Sequence, residues 1–208
     1  MDISLRLEYP DDRKPLYSLD DINSELAVIG TKIWTLDLKD ISVELKTLLK
    51  KTVLTDEERS KVMEHFLLPM DKLLKIVEKA GRTPNIEGGG ELSTTVTTHG
   101  YSYPQLYLVE EGVDYTRFDR LHYNESKDGV GIDEILQLIS GGDFVMHQLM
   151  PNKSVLKVFF RCPDENTGWL ITYDGKTPHI GSLSSSDVGT KLVVQAIGPK
   201  EWDMNYID

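Results

Sequence analysis

The opening Ile3-Ser4-Leu5-Arg6-Leu7-Glu8-Tyr9 alternates apolar and polar side chains, the two-residue period of a strand with one buried face, and Pro10 ends it. Residues 26–38 carry Val28, Ile29, Ile33, Trp34 and Leu36 around Gly30 and predict a second strand or a bent pair of strands. The period then changes. Ile41, Leu45, Leu48 and Leu49 recur at helical spacing, which puts one apolar stripe on a short helix within residues 40–53. Thr55 and Glu58 have the spacing of a capping box, in which hydroxyl and carboxylate each satisfy an orphan backbone donor. Val62, Phe66, Met70, Leu73, Val77 and Ala80 then run down one face of a second helix that Gly81 stops, and Pro69 predicts a kink inside it.

Residues 82–90, with Pro84 and Gly88-Gly89-Gly90, read as a connector. Beyond it the pattern is strand after strand: residues 92–98, 105–109, 115–123, 144–150, 155–161, 169–173 and 191–197. Ile132 to Ile139 fits a helical face as well as a strand; the glycines on either side hold it to strand length. Such spacing predicts a mainly β protein, a sandwich or barrel spanning residues 88–208, with N-terminal strands and a two-helix segment in residues 1–87 packed on it.

With 208 residues, 39% hydrophobic, the chain has the size of one large domain and can bury a core. Its 34 acidic against 23 basic residues give a net charge of −11, which repels nucleic-acid backbones and anionic membrane surfaces. One cysteine, Cys162, excludes an internal disulfide framework, and no stretch has the pattern of a secretion signal or a membrane span. The expectation is a cytoplasmic protein that binds a small molecule and neither nucleic acid nor membrane, with exposed barrel edges that suit a homodimer.

Nucleophilic catalysis has little support, since Cys162 precedes Pro163 without an adjacent histidine and no Gly-x-Ser-x-Gly elbow occurs. Histidines carry more. His99, His122, His147 and His179 all fall in the β region, and two imidazoles with one carboxylate on an inner barrel face make the open facial site of non-haem iron chemistry.

Two local patterns sharpen this. The first is Asp133-Glu134-Ile135-Leu136-Gln137-Leu138-Ile139-Ser140-Gly141-Gly142, and the second is Tyr173-Asp174-Gly175-Lys176-Thr177-Pro178-His179, followed by the strand that begins at Lys191. Together they resemble the two short motifs of the cupin superfamily, over about residues 90–200. The resemblance implies a jelly-roll barrel in which Glu134 is the metal-binding glutamate and His179 the second-motif histidine. Members of the family carry His-x-His shortly before that glutamate, whereas here Lys127-Asp128-Gly129-Val130 stands there. The resemblance therefore puts His122 in the ligand set, provided that residues 125–131 form an outward loop, with His147 as alternate ligand. Fe(II) or another divalent metal is the implied cofactor, for oxygenase, isomerase or lyase chemistry on a small organic substrate. Arg117, Tyr123 and Tyr173 flank these ligands as candidate catalytic groups, with Trp169, Tyr101, Tyr103 and Tyr107 as pocket aromatics. The alternative is a metal-free cupin-like module that binds a ligand or a protein.

Overall fold

The structure is a computed structural model in which residues 4–85, 101–109, 120–183 and 188–207 are described. In chain order it begins with β1 (Leu5–Glu8) and α1 (Leu19–Leu26), then a 3-10 turn at Ala27–Ile29 and β2 (Lys32–Asp37). Three helices follow, α2 (Val43–Leu49), α3 (Asp56–Phe66) and α4 (Met70–Lys79). The β region runs through β3 (Tyr101–Leu108), β4 (His122–Glu125), β5 (Asp133–Ser140), β6 (Phe144–Leu149), β7 (Val155–Phe160), β8 (Thr167–Asp174), β9 (His179–Leu183), β10 (Lys191–Gly198) and β11 (Asp203–Tyr206).

The strands form two antiparallel sheets, one of six in the order β1-β7-β6-β9-β4-β11 and one of five in the order β2-β8-β5-β10-β3. Their inner faces close on a core that includes Leu7, Leu138, Phe144, Met146, Phe160 and Ile171. Against the outer face of the five-stranded sheet lie the helices: Leu48, Val62 and Phe66 meet Ile139 and Val193, and Leu73, Leu74 and Val77 meet Ile135 and Ile197. The protein is thus mainly β with N-terminal helices, as the sequence pattern implies. The N-terminal segment is woven in more deeply than a packed appendage, since β1 and β2 are edge strands of the two sheets. No helix among the described residues is long and apolar enough to cross a membrane.

Several expectations change at the level of local chemistry. Residues 26–29 are helical, because Ser18 caps α1 by accepting from the Asp21 amide and the turn runs on to Gly30, whose φ of 68° suits glycine. Pro69 does not kink one helix but separates two, serving as the N-cap residue of α4. The backbone groups freed at this break are taken up by glutamines of the sheet. Gln195 Oε1 accepts from the Leu68 amide at 2.8 Å, Gln195 Nε2 donates to Leu68 O, and Gln137 Nε2 donates to Phe66 O at 2.8 Å. The Thr55–Glu58 capping box forms as its spacing implies, and Gly81 ends α4 at φ 82°.

Residues 132–139 form a strand, and the ambiguity of their pattern has a structural reason: every residue of β5 from Asp133 to Ile139 is buried, one set against the opposing sheet and the other against the helices. On that outer side Asp133 pairs with Arg82 and accepts from the Asn85 amide, tying the segment after α4 to the sheet. The expected strand at residues 92–98 and the connector glycines at 88–90 lie outside the described residues.

Candidate functional site

Strand alternation places the inner-facing side chains. Pairing across β3, β10, β5 and β8 sets Tyr103, Ala196, Glu134 and Tyr173 side by side in one row. In the facing sheet His122 of β4 pairs with His179 of β9, which pairs in turn with Gln148 of β6. The two rows meet at one end of a cavity of about 320 Å³. Between β4 and β5, Glu125 and Gly131 bridge and the Ser126 amide donates to Val130 O, so the residues between them turn outward as a loop. That loop is what lets His122 lie beside Glu134 in space.

Glu134 is the centre of the polar end. Its Oε1 stands 3.1 Å from His179 Nε2 and accepts from Asn124 Nδ2 at 2.9 Å, while Oε2 accepts from the Tyr173 hydroxyl at 2.8 Å. Burial pushes this carboxyl upward, but the His179 charge and the hydrogen bonds from His179, Tyr173 and Asn124 outweigh it and hold it at about 2. Burial alone lowers the His179 imidazole, and the Glu134 carboxylate reverses that into a raised value. His122 is pushed down by burial and by its neighbour His179, whose ring centroid lies 4.5 Å away. The Tyr173 phenol is raised, first by burial and then by Glu134.

Each imidazole has its Nδ1 against a backbone carbonyl at 2.8 Å, His122 on Arg120 O and His179 on Thr177 O. A neutral ring then carries its proton on Nδ1 and presents the Nε2 lone pair, the orientation that metal-ligating histidines adopt. His122 Nε2 has no hydrogen-bond partner among the described residues. Asn124 Oδ1 is buried without one.

These observations bear on whether a divalent metal fits. As the side chains stand, no three His, Cys, Asp or Glu among the described residues form a ready-made cluster. Two do converge: an Nε2 and an Oε1 at 3.1 Å have the separation of adjacent ligands on one metal, about 3 Å for bonds near 2.1 Å at right angles. The His122 ring, its centroid 4.5 Å from that of His179, and the unpartnered Asn124 Oδ1 are the further donors at this end, and imidazole nitrogen, carboxylate and amide oxygen are donor types that a divalent cation accepts.

Of the residues singled out from sequence, the fold brings together His122, Glu134, His179 and Tyr173. It does not bring His147, which lies on the outer face of β6 among Val145, Lys157 and Ile180, because alternation turns its neighbours Met146 and Gln148 inward. Tyr123 is likewise the outward residue between inward His122 and Asn124. Arg117 lies outside the described residues, as does the side chain of Tyr101. Trp169 packs on Phe160 in the core, whereas Tyr103 and Tyr107 line the cavity. Sequence reasoning passed over Asn124, Trp202 and Met204, all of which line it. Asn124 had a signal, since His122-Tyr123-Asn124 is His-x-His with the second imidazole replaced by an amide.

No protein-family model matches the chain, and no curated protein matches it in sequence. Among solved structures it is similar to an acireductone dioxygenase from Bacillus anthracis with a cadmium ion in its active centre, at TM-score 0.59 and 11% identity, over 97% of each chain. A likeness at that identity is one of fold.

Proposed function

On the cupin jelly-roll fold that this chain shares with the dioxygenase, we propose a divalent-metal-dependent enzyme that acts on a small organic substrate, an oxygenase in its leading form and an isomerase or lyase otherwise. His122, Glu134 and His179 would hold the metal. The observation that carries this reading is the 3.1 Å approach of His179 Nε2 to Glu134 Oε1, with both inner imidazoles turned by backbone carbonyls to offer Nε2. Bound there, Fe(II) or a related ion would supply Lewis acidity and sites for substrate and O2.

The chain's own groups have distinct tasks. Tyr173 and Asn124 fix the carboxylate of Glu134 from both sides, which leaves one rotamer for it. Thr177 O and Arg120 O hold the imidazole planes. His179 Nε2 faces Glu134 Oε1 at 3.1 Å, so a proton shared by the pair would have to leave before both atoms could serve one metal.

A second reading draws on the same pair. Glu134 and His179 already satisfy one another, as they would in a metal-free ligand-binding module. Elemental analysis of purified protein separates the two. The enzyme reading expects stoichiometric Fe, Mn, Ni or Zn that falls in Glu134→Ala and His179→Ala; substoichiometric metal unaltered by either change favours the module.

A further inference from the structure

We infer that the cavity takes an organic molecule with an apolar body and a hydroxyl or carbonyl oxygen at one end, admitted through the seam that Tyr103 and Trp202 close. The inference rests on reading the His122–Glu134–His179 end as the reacting end, and goes beyond it in naming what lies at the other.

Register fixes the layout. Next to the row that holds Glu134 comes Gln105–Val194–Leu136–Ile171, and beyond that Tyr107–Leu192–Leu138–Trp169. In the facing sheet the rows after His122–His179 are Gly181 with Met146, then Leu183 with Phe144. His122, Asn124, Glu134, Tyr173 and His179 therefore gather at one end, and Val194, Leu136, Leu192, Leu183 and Phe144 wall most of the rest, where the polar groups are Gln105 and Tyr107, the hydroxyl of which donates to Gln105 Oε1. Alternate residues along a strand are about 6.8 Å apart, so the third row lies about 13 Å from the first. That length, with a volume of about 320 Å³, suits one aromatic ring or a short alkyl chain behind the head group. A carboxylate or phosphate at the far end would lose its hydration among Leu192, Leu183 and Phe144 beside the single Tyr107 hydroxyl, and among the described residues no lysine or arginine lines the cavity to compensate.

Small residues make the space. Ala196 stands beside Glu134, and Gly181 sits across the gap. A Cβ on Gly181 would meet nothing nearer than a Phe144 ring carbon at 3.4 Å, so a larger residue fits the backbone yet intrudes on the cavity.

The entrance follows from the sheet order. Among the described strands β3 and β11 end the two sheets, and between them Trp202 stands edge-on to Tyr103 with ring centroids 6.0 Å apart. Tyr103 OH also donates to Pro199 O. Among the described residues β3 and β11 share no strand pairing, so opening between Tyr103 and Trp202 breaks no ladder that joins the two sheets.

The test uses two methyl ketones that share a head and differ at the far end: 4-phenylbutan-2-one, which ends in a ring, and 5-oxohexanoate, which ends in a carboxylate. Binding is measured by calorimetry on the full chain, with and without added Fe(II) under anaerobic conditions. The phenyl ketone is expected to bind at least about tenfold more tightly. Gly181→Val should weaken it by about tenfold with Tm and metal content unchanged, and Trp202→Ala should speed both association and release. Equal or tighter binding of the carboxylate, indifference to Gly181→Val, or no binding of either ketone overturns the inference. Phenyl ketone binding in a protein that takes up no metal would sink the metal-dependent reading and support this one; stoichiometric metal with a preference for the carboxylate does the reverse.

Discussion

Glu134 of β5 and His179 of β9 belong to different sheets, yet their Oε1 and Nε2 atoms meet at 3.1 Å inside the protein. The pair is therefore a polar crosslink between the two halves of the sandwich as well as the base of the site. Removing one member strands the other. His179→Ala leaves a carboxylate that is 9% exposed with two neutral hydrogen bonds and no charge partner, which costs about 3–5 kcal/mol in urea unfolding. Glu134→Gln keeps the shape and costs less. A His179→Ala protein as stable as the parent would show that the pair is not buried as described.

Asn124 occupies the inward position after His122, and its Oδ1 has no partner. Replacing the amide by imidazole adds a third nitrogen donor to two imidazoles and a carboxylate. Asn124→His should bind Zn(II) or Fe(II) more tightly by at least about tenfold, measured by competition with a chromogenic chelator. Weaker binding in this variant would place the metal, if any, elsewhere.

Gln148 extends the His122–His179 row, is fully buried, and has neither amide atom hydrogen-bonded among the described residues. An unpartnered buried amide is a cost to the fold. Gln148→Met is expected to raise stability by about 1–2 kcal/mol. If stability falls instead, Gln148 holds an ordered water in the folded protein.

Lys191 points from β10 into the helical layer, where its ammonium donates to Leu49 O at 3.0 Å, Lys51 O at 2.7 Å and Gly189 O at 2.8 Å. Burial lowers its pKa from 10.5 to about 8. Below pH 8 folded and unfolded chains both carry the proton, and the folded one bears the full desolvation cost. Between about pH 8 and 10.5 the folded chain has released a proton that the unfolded chain still binds, so stability rises with pH in this window, by about 3 kcal/mol. Lys191→Met should flatten that rise in denaturant titrations from pH 7 to 10, and lower stability at pH 7 by orphaning three carbonyls.

What the sequence reveals of this arrangement depends on how many partners each segment has. The capping box, the α3 and α4 stripe and most strands are legible because their periods report one buried face. β5 resists because both its faces are covered. Helix α1 hides behind Asp20, Asp21, Asn23 and Ser24, which break its apolar face, and its clearest mark is Ser18. β9 and β11 are short and partly exposed, so neither has an alternation to detect. At the site, Glu134 and His179 stand out through the turns around them. His147 misleads because residue type does not reveal which way an alternating strand is phased, and only pairing with β7 and β9 sets it. Trp202 and Met204 belong to a chain end that reaches the cavity through a pairing with β4 that has no local signature.

Among the described strands β11 is bonded to β4 alone, and it is largely exposed, whereas β5 is sealed between two layers. Amide protons of the last strand should thus exchange with deuterated solvent long before those of β5. Since β11 flanks His122, fraying there disturbs one imidazole while the carboxylate stays in place. On warming, the protein is expected to loosen its hold on whatever occupies the cavity several degrees before it melts.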